Sequence, residues 1–217
     1  MKKLLLFTLL SVLPLLSLSA QQEYYEFLLD NFEKGKIVYT NSGSREAVLN
    51  YETISEKMLF MLQDSTIWEL AEPEKIAIVY IGDRVFEHMS KGIFYERVKT
   101  GDEFMYVRWK SSIISRGKEA GYGIISATGA IDNVDHTHGK GDIYQLKTVE
   151  KFETASRNMY YLKIKNKLKA FTSFNALAKL FKTQEASIKA YVETESLNFK
   201  DPKDVEKAVI YAYNLAK

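Results

Sequence analysis

Two of the three histidines in this 217-residue chain lie two positions apart, in the stretch DNVDHTHGKGD at 132–142. On extended backbone, side chains two positions apart project to one side, so His136 and His138 could face the same ion. Asp132, Asp135 and Asp142 stand within a few residues of them. Neutral imidazoles with a carboxylate suit a zinc-like divalent ion. The candidate metal site is therefore His136, His138, Asp135 and Asp132, with Asp142 as a spare. No stronger motif supports it. The acids fall at relative positions 1, 4 and 11 of the stretch, whereas a calcium loop wants its ligands at about 1, 3, 5 and 12. The chain has no H-E-x-x-H pair and no cysteine. A solvated polar loop accommodates the same residues, and that is the reading the sequence favours, with no cofactor expected.

Other chemistry is thinner still. The glycines of GKEAGYG (117–123) lack the G-K-[ST] close of a phosphate loop and a strand–turn–helix setting. Ser115, Ser126 and His88 could be named as hydrolase parts, but no G-x-S-x-G elbow is present. His88 reads as an ordinary strand histidine. The larger resource is aromatic: 14 Tyr, 12 Phe and 2 Trp must supply both core and surface. Trp68, Tyr95, Tyr106 and Trp109 lie on expected strands and form the candidate contact surface for a protein or a glycan. In KIKNKLK (163–169), one continuous strand would place Lys163, Lys165, Lys167 and Lys169 on one face. A turn at Lys165–Asn166 would split them between two strands. A solvated face is expected there, with docking of an acidic partner as the alternative.

The ends and the composition say where these groups work. MKKLLLFTLLSVLPLLSLSA has a basic start, an apolar run over 4–16 and a small-residue patch over 17–20. This is the layout of a secretory signal peptide, with cleavage expected after Ala20 or after Ser19. The chain has 30 basic and 28 acidic residues, and two of the lysines lie in that segment, so the expected mature chain carries 28 of each. No general attraction to nucleic acid follows, and no later stretch reads as a membrane span. Without cysteine the mature chain must be held by its core. Export without disulfides points to a bacterial envelope protein, periplasmic first, with outer-membrane association or secretion as alternatives.

Residues 36–114 alternate short apolar-aromatic runs with polar turns. The runs are KIVYT, EAVLNYE, KMLFMLQ, TIWEL, KIAIVYI, RVFEHM, IFYERV and FMYVRWKSSII, which predicts an antiparallel meander that curls or packs in two layers. The last run is read as one strand, with Phe104, Tyr106 and Arg108 on one face and Met105, Val107 and Trp109 on the other. EYYEFLLDNFE (23–33) is a lead-in, read as a helical turn or an edge segment. The stretch 117–142 is expected as a long loop, and IYQLKTVE (143–150) as extended. RNMYYLKIKNKLKAF (157–171) predicts a hairpin. Thr172 or Ser173 is expected to cap a first helix and Thr183 a second. Asp201 with Pro202 opens a third, whose face is Val205, Ala208, Val209, Ala212 and Tyr213. The predicted whole is α+β: a signal peptide (1–20), a β-rich domain (21–171) and a helical C-terminal region (172–217).

The order of pieces carries a resemblance. FEKGKIVYTNSGSREAVLNYETISEKMLF (32–60), ELAEPEKIAIVYIGDRVF (69–86), GKEAGYGIISATGA (117–130) and LAKLFKTQEASIKAYVETESLNFKDPKDVEKAVIYAY (177–213) resemble a group of exported proteins of Bacteroidetes-type bacteria. The resemblance implies export and a shared architecture, and brings no activity, ligand or catalytic residue. His136 and His138 fall outside it. The expected function is that of a non-enzymatic envelope protein that binds another protein or assists assembly. The alternative is a metal-dependent enzyme or glycan binder acting on envelope polymers through 117–142.

Overall fold

The computed structural model describes residues 25–41, 43–120, 124–126 and 150–216, with the side chains of 115–120, 124–126 and 150–152 outside that description. Strands β1 (Glu33–Tyr39), β2 (Ser44–Glu52), β3 (Lys57–Met61) and β4 (Ile67–Glu69) form one up-and-down meander. Strands β5 (Ile76–Ile81), β6 (Arg84–Ser90), β7 (Ile93–Thr100) and β8 (Glu103–Arg108) form a second. The two join through β1 and β5, because a 3₁₀ turn at Pro73–Lys75 carries the chain back from β4 instead of folding it as a hairpin. Strands β12 (Met159–Ile164) and β13 (Lys167–Phe171) continue the sheet beyond β8. The result is a ten-stranded antiparallel sheet in the order β13-β12-β8-β7-β6-β5-β1-β2-β3-β4. Helices α1 (Phe174–Leu180), α2 (Glu185–Thr194) and α3 (Pro202–Leu215) form a small C-terminal cap, so the fold is the α+β architecture the sequence predicts.

The sheet curls. Tyr51 on β2 stacks on Phe86 of β6 with ring centroids 5.9 Å apart, although β1 and β5 lie between those strands in the sheet. The concave face buries Ile37, Leu49, Met58, Val79, Ile81 and Phe94. Further along, the same face is covered by the helices: Met105, Val107, Leu162 and Phe171 pack against Leu177, Val205 and Val209. This is what the α3 stripe provides. Val205, Ala208, Val209 and Ala212 are fully buried, and Tyr213 packs against the same cluster.

Several local expectations change. The run 104–114 is two strands: β8 stays in the large sheet, and β9 (Ser111–Ala120) enters a smaller one with β10 (Ile124–Ser126) and β11 (Glu150–Ser156). The chain crosses between sheets at Trp109–Lys110. There the Lys110 N–H donates to Asn158 Oδ1 and the Arg157 N–H donates to Lys110 O, so the outgoing and returning segments satisfy each other. The first residues of the expected 117–142 loop are therefore strand, with Ile124 to Ser126 pairing back onto Ala120 to Lys118. Of IYQLKTVE only Glu150 is described, at the start of β11. The described part of the lead-in, from Tyr25, forms no helical turn and runs beside β2. Phe27 bridges Glu52, and its neighbours bond across to β2, Leu28 N–H to Tyr51 O and Glu26 O from Thr53 N–H. The bend that follows is held by the buried Asn50 side chain. Its Oδ1 accepts from Leu29 N–H at 3.2 Å, and its Nδ2 donates to Leu29 O at 2.8 Å and Asn31 O at 3.2 Å.

At the C-terminal end, Ser173 rather than Thr172 caps α1 through Ala176 N–H. Thr183 does not cap α2. It falls inside a 3₁₀ turn, and Gln184 takes the cap position without a side-chain bond. The hairpin turn at Lys165–Asn166 is as expected, with both residues at positive φ as a type I′ turn requires. Asp201 caps α3 through Lys203 N–H, with Pro202 at its start.

Candidate functional site

The curl leaves its β1–β4 end open as a groove of about 660 Å³. Strand register determines the floor. Leu49, Phe60 and Trp68 are paired across β2, β3 and β4 and share the concave face, a row that runs from the buried core to the sheet edge. Leu49 is fully buried, Phe60 is half-buried, and Trp68 is 55% exposed. Ala47 and Leu62 form the next row, and Tyr39, Leu70 and the Glu72–Lys75 turn close the far side. Gly35 completes the wall by having no side chain. A Cβ there would lie 2.2 Å from Tyr80 O and 2.8 Å from Leu49 Cδ1.

Charges sit at the rim. Lys75 pairs with Glu72 there, whereas Lys57 pairs with Glu69 at 2.5 Å on the opposite, convex face of the sheet. Arg45, which shares the concave face with Ala47, has no ion pair among the described residues. The groove offers an apolar, aromatic floor and a guanidinium free to fork onto an acid.

The sheet edge beside it is β4, which among the described strands pairs only with β3. The Leu62 N–H donates to Thr66 O and the Leu70 N–H to Met58 O. Antiparallel alternation then turns the backbone groups of Ile67 and Glu69 away from β3. Ile67 and Leu62 are exposed alongside Trp68. The opposite edge, β13, is built differently. Lys167 and Lys169 lie on it, with Lys163 across the hairpin and Lys165 in its turn. The turn therefore splits the four lysines, and they guard that edge in the way lysines commonly discourage strand pairing.

The other aromatic candidates are placed less openly. Tyr106 is 8% exposed, which removes it from the contact surface; the long side chains around it on the outer face cover it. Tyr95 is half-buried and stacks on Tyr161 at 5.0 Å. Burial, then the neighbouring Tyr161 hydroxyl, pushes its phenol up to about 12. Trp109 is also half-buried and packs against both core clusters. Its indole N–H donates to Glu96 Oε2 at 2.6 Å, and the Arg84 guanidinium lies 5.3 Å from its ring centroid. Of the four, only Trp68 stands free for a ligand. His88 lies on β6 against Phe94, and its Nε2 is buried without a hydrogen-bond partner among the described residues. His136, His138, Asp132, Asp135 and Asp142 lie outside the described residues. Among those that are described, no three His, Cys, Asp or Glu side chains come together as a metal site. No described helix is long and apolar enough to cross a membrane.

One polar cluster was invisible in the sequence. Glu56, in the β2–β3 turn, accepts from Arg108 Nε at 2.5 Å, Arg108 Nη2 at 2.8 Å and Lys110 Nζ at 3.0 Å. Burial works to raise its carboxyl, but these bonds and charges outweigh it and hold the group below the usual carboxylate range. Thr53 Oγ1 donates to Ser111 Oγ at 2.9 Å beside it, and the Ser111 N–H to Thr53 O. This seam fastens the β2–β3 turn to the end of β8 and so holds the curl that makes the groove. Its partners are more than fifty residues apart, so no local spacing announces it.

No protein-family model, characterised protein or solved structure matches this chain.

Proposed function

We propose that this is an exported, non-enzymatic envelope protein that holds an extended segment of another protein as an added strand along β4, over Trp68. The observation that carries the reading is the contrast between the two edges of one sheet. The β13 edge carries lysines, whereas β4 offers outward backbone groups flanked by exposed Ile67 and Trp68. β4 is short and carries one charged residue, Glu69, yet its outward backbone groups are the kind that strand addition uses for affinity, with adjoining pockets for specificity. The groove beside β4 is such a pocket. Export is supported by the basic start and apolar run of residues 1–20. A glycan stacked on Trp68 is the second reading, favoured by the polar Gln63, Glu69 and Arg45 that line the same groove.

The test is site-specific photo-crosslinking in the native envelope, with the crosslinker at Ile67 or at Leu168 on the opposite edge. The expected result is a discrete protein adduct from position 67 and none from 168. No adduct from 67, or the same set from both, contradicts the reading. Retention on envelope polysaccharide that is lost in Trp68→Ala, with no protein adduct, supports the glycan instead.

A further inference from the structure

A second cleft, of about 720 Å³, runs between the three-stranded sheet and the helical cap. Its floor is apolar: Ile114 from β9, Met159 and Tyr160 from β12, and Phe199 from the link between α2 and α3. The Phe199 ring is fixed in place. It meets Tyr160, Phe171 and Phe174 edge-on, with centroids 5.4, 6.1 and 5.1 Å away. Two cations line it as well, Arg157 from the β11–β12 connection and Lys200 from the α2–α3 link, together with Ser156, Asn158 and Thr172. No carboxylate lines the cleft among the described residues. The adjacent acid in sequence, Asp201, is occupied in capping α3.

Arg84, Arg97 and Arg108 each pair with a glutamate. Arg157 gives only its Nε–H to Ser112 Oγ, at 3.2 Å, and neither it nor Lys200 has an ion pair among the described residues. Both side chains are exposed and cost nothing to hold ready. Two cations without an ion pair, lining one cleft with a fixed aromatic ring, match a molecule with a doubly charged anionic head and an apolar body.

We propose that this cleft binds a phosphate-headed amphiphile, with the phosphate held by Arg157 and Lys200 and the apolar part on Phe199, Met159 and Ile114. The site lies toward the β12 end of the large sheet, away from β4, and does not depend on strand addition there. The test is titration calorimetry of the mature chain with dodecyl phosphate below its micelle concentration. Dodecyl maltoside and inorganic phosphate serve as ligands that lack the head charge or the tail. Saturable binding at one per chain is expected, at least tenfold tighter than either comparison ligand. Arg157→Ala/Lys200→Ala weakens it at least tenfold. Lys163→Ala/Lys167→Ala, which removes the same charge elsewhere, leaves it within twofold. Methyl NMR places the ligand at Ile114. Equal affinity for dodecyl maltoside overturns the proposal, since the cleft would then be an apolar surface only. Equal loss in the two double variants, no saturable binding, or shifts at the Trp68 indole in place of Ile114 overturn it as well.

Discussion

Replacing Glu56 with alanine removes the acceptor that Arg108 and Lys110 share at the seam of the curled sheet. The expected cost follows from burial. The Glu56 side chain is 8% exposed and its Arg108 partner 21%. Exposed pairs contribute about 0–1 kcal/mol, and breaking a fully buried pair costs about 3–5 kcal/mol. A buried carboxylate on a partly exposed guanidinium falls between these, at about 2 kcal/mol. With a urea slope of about 1–3 kcal/mol per molar, the unfolding midpoint drops by roughly 1 M, read through Trp109 fluorescence. Glu56 also sits at φ 60, a region that costs a residue with a Cβ about 1–2 kcal/mol. Glu56→Gly therefore falls less than Glu56→Ala. The pH dependence has a definite sign. The folded carboxyl is held below its ordinary value, so its contribution is complete above the unfolded value of about 4.3 and is lost as pH falls through the folded value. The gap between wild type and Glu56→Ala closes in acid. A gap under about 0.5 kcal/mol at pH 7, within the range of ordinary surface changes, would refute the reasoning, as would a gap that is unchanged at pH 3. A double-mutant cycle with Arg108→Ala should return a coupling of about 1 kcal/mol or more.

Other parts of the fold give sharper or smaller effects. Asn50→Ala strands the backbone groups of the bend that Asn50 holds and should cost about 2–3 kcal/mol, with faster amide exchange at Leu29. Unchanged exchange there would contradict the assigned role. Gly35→Ala forces a Cβ onto Tyr80 O and should lower the melting temperature by well over 5 °C, since a chain of this size loses about 2–4 °C per kcal/mol; a melt within 2 °C of wild type contradicts the close approach of β1 and β5. Asp201→Ala removes the α3 cap and should cost about 1 kcal/mol, measured by urea titration. Trp68→Ala should leave stability within about 0.5 kcal/mol, because its ring is mostly in solvent, while abolishing the crosslink from position 67.

The sequence carried the strands and the third helix because their signals are local. Period two places Met105 and Val107 opposite Tyr106, and Asp201–Pro202 announces α3 before its apolar stripe. It did not carry what depends on pairing across distance. The break at Trp109–Lys110 is set by Asn158 and Arg157, nearly fifty residues on. Nothing near TIWEL says that β4 ends a sheet while β5 returns to β1, and that is why Trp68 is exposed whereas Tyr106, equally aromatic and equally on a strand, is buried. Aromatic content alone could not separate them. Their neighbours in the sheet did.

Strand addition at β4 makes a demand that a ligand resting only on the Trp68 ring does not. The decisive measurement is backbone hydrogen exchange at Ile67 and Glu69, with and without the partner segment recovered by crosslinking at position 67, supplied as a peptide. The account predicts strong protection of both amides on binding, with Leu168 on the opposite edge unchanged. Binding that shifts Trp68 fluorescence but leaves Ile67 and Glu69 exchanging at their free rates would contradict it.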